Sequence, residues 1–148
     1  QSSKIQLPSV DAMAAALKDG PSLLGKGNSD VPVGQYTQKI LEFYGLSEEE
    51  LNERGLISYG SNVKEVTTQI KEGAVNCGVI YCTDAYSDGL TVTDEATAEM
   101  CGQVIYPAAV LKTGEHPEEA QAFLDFLQTD PCMEIFEKVG FTRIEQEA

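Results

Sequence analysis

Short apolar runs alternate with segments that carry the start and stop signals of helices along most of this chain. A helix start is indicated where Ser, Asn, Asp or Pro stands at or just before the first turn, and a stop where glycine follows the last apolar residue. On these signals we predict six helices, over residues 9–20, 32–45, 47–55, 63–72, 117–127 and 130–140. The spacing of Phe123, Leu124 and Leu127 predicts that one face of the fifth helix packs into a core.

Between the helices lie short apolar runs bounded by glycine or polar residues, which are typical of buried strands. We predict strands over residues 22–26, 56–59, 77–81, 90–93 and 103–111. Because helices separate most of the successive strands, the strands are expected to be largely parallel and joined by right-handed crossovers. The predicted fold class is therefore α/β, with a mostly parallel sheet flanked by helices.

The charge balance is strongly acidic, since 24 acidic and 10 basic residues among 148 give a formal net charge of −14. Binding of nucleic acid needs grouped Lys and Arg that neutralise phosphates, and the sequence contains no such basic cluster. The same excess of acid opposes docking on an anionic membrane surface. We therefore expect no nucleic-acid partner.

Side chains that usually carry catalysis or bind metals are sparse. The single histidine, His116, stands directly before Pro117 with no nucleophile beside it, and the four cysteines form no CxxC pair. Dinucleotide-binding, P-loop and HExxH patterns do not occur in the sequence. We therefore predict that the chain is not an enzyme and supplies no metal ligands. The cysteines are either four buried thiols or, in an exported protein, include one disulfide.

Two junctions between a predicted strand and the next helix suggest a binding site, because ligands of open α/β sheets lie beyond the carboxyl ends of the strands. Unpaired N–H groups and the helix dipole favour an anion there. Pro32 has no N–H, so Val33 and Gly34 are expected to supply the first free donors of one junction. The Val63 N–H occupies the same kind of position in the second, and Tyr81 ends the third strand with a hydroxyl donor. Spacing alone leaves ordinary helix capping as the alternative.

Five pieces of sequence, in order between residues 31 and 141, resemble motifs of the molybdate-binding proteins of ABC transporters. VPVGQY at 31–36, followed by a helix that ends in YGL at 44–46, resembles VPAGxY. SNVKEV at 61–66 is similar to the ENVRxA helix start, and GAVNCGVIYCTDA at 73–85 resembles GEADAGIVYxSDA. IYPAAVLK at 105–112 resembles YPVAVLK, and AFLDFL at 122–127 with IFEKVGF at 135–141 resembles the AFLDFL and IFxxxGF ending.

The resemblance implies a periplasmic binding protein of type II, whose two lobes close on a tetrahedral molybdate or tungstate ion. It implies that hydrogen bonds hold the oxyanion, without counter-charges, cofactors or protein atoms bonded to the metal. Transferred by position, the donors in this lobe are the Val33 N–H, the Val63 N–H and the Tyr81 hydroxyl, with Gly34 and Asn62 adjacent. Valine stands at position 33 where the family usually has alanine.

The resemblance also implies how the chain is organised. Residues 1–101 correspond to the second lobe, and residues 102–148 to a hinge strand and two helices that return toward the first lobe. The first lobe, with its two serine donors, has no counterpart in this sequence, so we expect a C-terminal portion or a shortened paralogue. The expected partner is the N-terminal lobe of a parent protein or a second copy, through dimerisation or segment exchange.

The function that the resemblance implies is that of the solute-binding component of an ABC importer, which delivers molybdate or tungstate to a membrane permease. Such a component is expected outside the cytoplasm of a bacterium, in the periplasm or as a lipoprotein on the cell surface. The alternative is a degenerate or isolated lobe that acts as an effector-sensing or interaction module without oxyanion transport.

Overall fold

The computed structural model describes residues 7–144, and the chain divides between Gln103 and Val104 into two compact units. In chain order, the first unit contains α1 (Val10–Asp19), β1 (Leu24–Gly27), α2 (Pro32–Phe43), α3 (Glu48–Glu53), β2 (Ile57–Gly60), α4 (Val63–Lys71), β3 (Cys77–Gly78), α5 (Cys82–Ser87) and α6 (Ala98–Cys101). The second unit contains α7 (Pro117–Leu127) and α8 (Asp130–Lys138). Each of the six predicted helices is therefore present, with bounds that differ by a few residues.

The three strands form one parallel sheet in the order β2-β1-β3. The pairing of β1 with β2 runs from Leu24 opposite Ile57 to Gly27 opposite Gly60, and β3 joins the other side of β1 with Cys77 opposite Leu24. The crossover connections between these strands contain helices, α2 and α3 between β1 and β2 and α4 between β2 and β3. Parallel strands need such long connections. The predicted α/β class with a parallel sheet is confirmed.

The core of the first unit is a cluster of buried side chains from α1, β1, α2, α3, β2 with the residue before it, and α6. Its members are Met13, Leu17, Leu24, Ile40, Leu41, Leu51, Leu56, Ile57 and Cys101. Burying one such leucine contributes about 1.5–3 kcal/mol, so the cluster is a main source of this unit's stability. All four residues of the central strand β1 are buried. The loop that follows β1 therefore starts from a strand end held in place by the core.

Three of the predicted helix starts are capped by the side chains that the sequence indicated. Ser9 accepts a hydrogen bond from the Ala12 N–H, and Ser47 accepts one from the Glu50 N–H. The Asn62 side chain accepts from the Glu65 N–H at 3.0 Å. Each such cap stabilises its helix by about 0.5–2 kcal/mol, and the Asn62 cap fixes the start of α4 directly after β2.

The strand predictions are only partly correct. The third strand is limited to Cys77–Gly78, because the chain turns at Tyr81 into α5, a short helix that the sequence analysis missed. The runs 90–93 and 103–111 form no strand in the described chain. Hydrophobic composition favours a strand but cannot supply the neighbouring strand with which it must pair, and Ile105 and Leu111 lie exposed.

The second unit buries little of its apolar surface. No residue of α7 is buried, and Phe123 is 61% exposed, so the predicted core packing of this face is wrong for Phe123, while Leu124 and Leu127 are half-buried. Periodic spacing gave the helix correctly, but burial also requires a surface to pack against. No helix in residues 7–144 has the length and apolar character needed to span a membrane.

Candidate functional site

The junctions that carry the predicted site residues lie at one edge of the sheet. Gly27 ends β1 and Gly60 ends β2, and these two residues are direct partners in the parallel ladder. β3 flanks β1 on its other side with the same direction. The three connections to α2, α4 and α5 therefore all begin at the carboxyl edge, where ligands of open α/β sheets bind.

The junction between β1 and α2 is tightly hydrogen-bonded. The Asn28 N–H donates to Gly60 O at 2.9 Å, and the Val31 N–H donates to Asn28 O at 3.1 Å. The Gly34 N–H, predicted as a free donor, donates to Val31 O at 3.0 Å within the first turn. The Val33 N–H has no acceptor among residues 7–144. Of the two predicted donors, Val33 and Gly34, only the Val33 N–H therefore remains open at the helix start.

Two glycines allow α2 to begin so close to the end of β1. A Cβ at Gly34 would collide with the carbonyl oxygens of Gly27 and Asn28. A Cβ at Gly27 would lie 2.7 Å from Cγ1 of Val33. The Val33 side chain is thus buried against the strand end, at 3% exposure, and its methyl groups fill the interior of the protein. Valine in place of the family's alanine therefore adds bulk on the core side.

The second junction joins β2 to α4. Asn62 caps the helix, and no described residue accepts from the Val63 N–H, which is the first N–H of α4. The Ser61 N–H donates a hydrogen bond to Oε2 of Glu65 at 2.7 Å. This carboxylate neutralises part of the positive end of the α4 dipole, so an added anion would share that field with Glu65.

Tyr81 stands at the N-cap position of α5 and is half-buried. Its ring meets the Tyr36 ring edge-on, with centroids 6.4 Å apart and planes at 77°. Tyr36 belongs to α2, so this contact places Tyr81 beside the helix whose start carries Val33. Tyr81 thus lies beside α2, the helix that contains Val33. The paired ends of β1 and β2 place the junction that contains Val63 next to the junction that contains Val33.

The sequence analysis missed one charged residue close to this edge. Lys26, the next-to-last residue of β1, is fully buried, and its Nζ lies 3.0 Å from Oε1 of Glu48 and 3.2 Å from Gly27 O. The same Nζ is 5.7 Å from the centre of the Tyr59 ring, whose hydroxyl donates to Glu48. Burial, followed by this hydrogen bond, raises the pKa of Tyr59. A lysine at the end of a predicted buried strand was the available signal.

The donor set suits an anion and offers little to other chemistry. Neutral N–H and O–H groups stabilise negative oxygen atoms without taking part in a reaction. Within residues 7–144 no three His, Cys, Asp or Glu side chains are grouped to hold a metal ion. All four cysteines are free thiols, and burial raises the pKa of Cys77 to about 11, so this thiol is a poor nucleophile near neutral pH.

Relatives of known sequence match about three quarters of this chain. Over 113 residues, 76% of this chain, it is 36% identical to YvgL of Bacillus subtilis, which is named as an ABC transporter substrate-binding lipoprotein. Over 114 residues it is 27% identical to the molybdate-binding protein ModA of Mycobacterium tuberculosis. The chain spans 42% of the first relative and 41% of the second, about two fifths of each.

The fold is similar to that of the periplasmic molybdate-binding protein of Azotobacter vinelandii, with a TM-score of 0.73. That likeness covers 87% of this chain and 58% of the other, and at 16% identity it concerns the fold alone. Residues 5–142 match the family of bacterial extracellular solute-binding proteins. Since this match takes in nearly the whole sequence, the chain belongs to the family of bacterial extracellular solute-binding proteins.

Proposed function

We propose that this chain forms one side of the cleft of an ABC-importer solute-binding protein that captures molybdate or tungstate. The observation that carries the proposal is the placement of two open donors, the Val33 and Val63 N–H groups, at helix starts on adjacent strand ends. The names of the relatives from Bacillus and Mycobacterium support the class of protein and of ligand. The Tyr81 hydroxyl is proposed as the third donor, with Gly34 and Asn62 shaping the two helix starts.

Binding of a dianion by a chain with a net charge of −14 needs a local explanation. The positive end of a helix dipole acts over the first turn, so two helix starts can attract an anion within a few ångströms despite the global charge. Glu65 already takes part of that field at α4. The α2 junction, whose first turn has no acidic residue, is therefore the stronger half of the proposed site.

Selectivity is proposed to come from size. Molybdate and tungstate are nearly equal in size, and both are larger than sulfate. Donors held on a rigid sheet edge cannot follow a smaller ion inward without lengthening their hydrogen bonds. Because Gly27 and Gly34 leave no room for movement between β1 and α2, this half of the site is expected to keep its shape.

The proposed role is capture and delivery to a membrane permease, with no chemical step and no cofactor. The location proposed for it is outside the cytoplasm, in line with the extracellular family to which the chain belongs. Because the relative from Bacillus subtilis is named as a lipoprotein, anchoring to the cell surface is included in this proposed location.

The experiment that tests the proposal is calorimetric titration of the complete gene product with molybdate, tungstate and sulfate. We expect heat and saturation with molybdate and tungstate, and weaker binding of sulfate. Sulfate bound more tightly than molybdate would overturn the proposed ligand. The absence of heat with every oxyanion would overturn the transport role and leave an effector-sensing or interaction module as the remaining function.

The apolar surface of the second unit bears on the proposed partner. Phe126 and Ile135 are 55% and 63% exposed, and this chain spans only about two fifths of its relatives from Bacillus and Mycobacterium. We propose that the remaining lobe of such a longer protein covers this surface. Light scattering of the 148-residue chain is then expected to show self-association at high concentration, because two copies can cover each other's exposed faces. A clean monomer at high concentration would contradict this.

A further inference from the structure

Lys26 is an unusual residue for the position that it occupies. Lysine is almost never fully buried unless its charge is paired, because moving an ammonium group out of water is strongly unfavourable. In this chain the Lys26 side chain has 0% exposure, in the middle of the sheet and one residue before the candidate site. The large desolvation penalty at this position means that the Lys26 ammonium must be paired with other polar groups.

Two oxygen atoms satisfy the Lys26 ammonium. Glu48 Oε1 lies 3.0 Å away, and Glu48 is the first residue of α3. Gly27 O lies 3.2 Å away and accepts a hydrogen bond from Nζ. The Tyr59 ring, on the strand paired with β1, lies 5.7 Å from Nζ and adds a cation–π contact.

The bond to Gly27 O acts on the peptide group that opens the candidate site. The Gly27 carbonyl and the Asn28 N–H belong to one planar peptide unit. Lys26 holds the oxygen of this unit, and Gly60 O accepts from its N–H at 2.9 Å. Both ends of the unit are therefore fixed, one by a buried charge and one by the neighbouring strand.

The same peptide unit supports the first turn of α2. A Cβ at Gly34 would collide with Gly27 O, so this oxygen lies directly against the helix start. Rotation of the unit would push on that turn and displace the Val33 N–H by the same movement. The orientation of one peptide group therefore sets the direction in which this donor points.

We propose that Lys26 is a positioning residue of the candidate oxyanion site, whose buried ammonium fixes the Gly27–Asn28 peptide group and through it the Val33 N–H. That Lys26 fixes the Gly27–Asn28 peptide group concerns the free protein alone. That this peptide group positions the Val33 N–H for an oxyanion rests on the proposed function. Glu48 and Tyr59 serve to keep the ammonium charged and in place.

The first test follows the free protein by amide hydrogen exchange. In the double variant Lys26→Met with Glu48→Gln, both charges are removed together, so no unpaired charge is left buried. We expect the Asn28 amide to exchange about tenfold faster relative to the Leu24 amide than in the wild type, as a local opening. Leu24 N–H, which donates to Leu56 O at the other end of β1, is the internal reference.

The ratio of the two amides separates positioning from general stability. Global unfolding accelerates both amides alike, as the core variant Leu17→Ala is expected to show. The single variant Glu48→Gln leaves the buried Lys26 ammonium without its counter-charge, so it is expected to raise the ratio as well. An unchanged ratio in the double variant would overturn the inference.

The second test measures molybdate affinity of the complete gene product by calorimetry. We expect the double variant to bind about tenfold more weakly, one decade in the dissociation constant, while Leu17→Ala keeps its affinity at a temperature where it is folded. Equal affinity of the double variant and the wild type would overturn the role of Lys26 in binding. A wild type that binds no oxyanion would overturn the proposed function, and the amide ratio would still decide whether Lys26 fixes the junction.

Discussion

Gly27 and Gly60 are direct partners at the last positions of β1 and β2, and just beyond them the Asn28 N–H donates to Gly60 O at 2.9 Å. The two strands therefore end at the same level, and the helix that follows each strand begins at the same edge of the sheet. Glycine is needed at both places, because a Cβ at Gly60 would lie 2.9 Å from Cγ2 of Val66 in α4. Two helix starts packed onto paired strand ends are what bring the Val33 and Val63 N–H groups to one edge.

Gly34→Ala is expected to destabilise the protein, although helix propensity alone predicts the opposite. Within a helix, alanine is favoured over glycine by about 1 kcal/mol. At this position the added Cβ would collide with two carbonyl oxygens, so we expect a net loss of about 1–3 kcal/mol in the free energy of unfolding. Urea denaturation measures it, and a stabilised variant would show that α2 can shift away from β1.

Val63→Pro removes one proposed donor while leaving the helix start intact. Proline is well accepted at the first helical position, and Asn62 before it already has the extended backbone that proline requires. We expect molybdate affinity to fall by about 1–3 kcal/mol, the value of a hydrogen bond to a charged acceptor. Val63→Ala keeps the N–H and is the matched control in the same calorimetric titration. Equal affinities of the two variants would remove Val63 from the site.

Tyr81→Phe tests the third donor. The ring contact with Tyr36 is kept, and only the hydroxyl is lost, so we expect a loss of about 0.5–3 kcal/mol in molybdate binding. Tyr86→Phe is the control, because Tyr86 lies on the same short helix and is 59% exposed. If both variants bind as the wild type does, Tyr81 has no contact with the ligand.

Tyr44 is expected to ionise at unusually high pH. Its hydroxyl donates to Asp11 Oδ1 at 2.7 Å, and this bond, with desolvation and the charges of Asp11 and Asp94, raises the pKa of Tyr44 from 10.0 to about 12. The folded state thus favours the neutral phenol. Its contribution to stability is present below pH 10 and is lost as the pH rises through about 12. In an absorbance titration, Asp11→Asn should lower the pKa of one tyrosine. An unchanged titration curve would contradict the role of Asp11 in raising the pKa of Tyr44.

The net charge of −14 predicts how salt affects capture of a dianion. Repulsion reaches about 30 Å at 0.01 M salt but only about 8 Å at 0.15 M. The association rate for molybdate should therefore rise with ionic strength, in stopped-flow measurements on the complete gene product. A rate that falls with salt would mean that a local positive field, stronger than the two helix starts, guides the ligand.

Local signals were read correctly from the sequence, and contacts between distant residues were not. The caps at Ser9, Ser47 and Asn62 depend on residues three positions away, so their patterns were visible. The run 103–111 has strand composition, but strand formation depends on a pairing partner that composition does not reveal. The start of α5 at Tyr81 has no side-chain cap, which left that helix without a sequence signal.

The candidate site divides in the same way. The open N–H groups of Val33 and Val63 follow from proline and asparagine at the helix starts, which the sequence displays. The use of the Gly34 N–H within the first turn and the pairing of Lys26 with Glu48 depend on how the β1–α2 junction folds and on how α3 packs against the sheet. Only the structure shows those contacts.

Phe123 and Phe126 on α7 stack with ring centroids 6.5 Å apart, and both are more than half exposed. Environment-sensitive dyes bind such clustered rings on a native protein. A dye-based melting assay of this chain should therefore start from a high signal and report unfolding poorly. Ligand screens are better followed by heat or by the amide resonances of the β1–α2 junction.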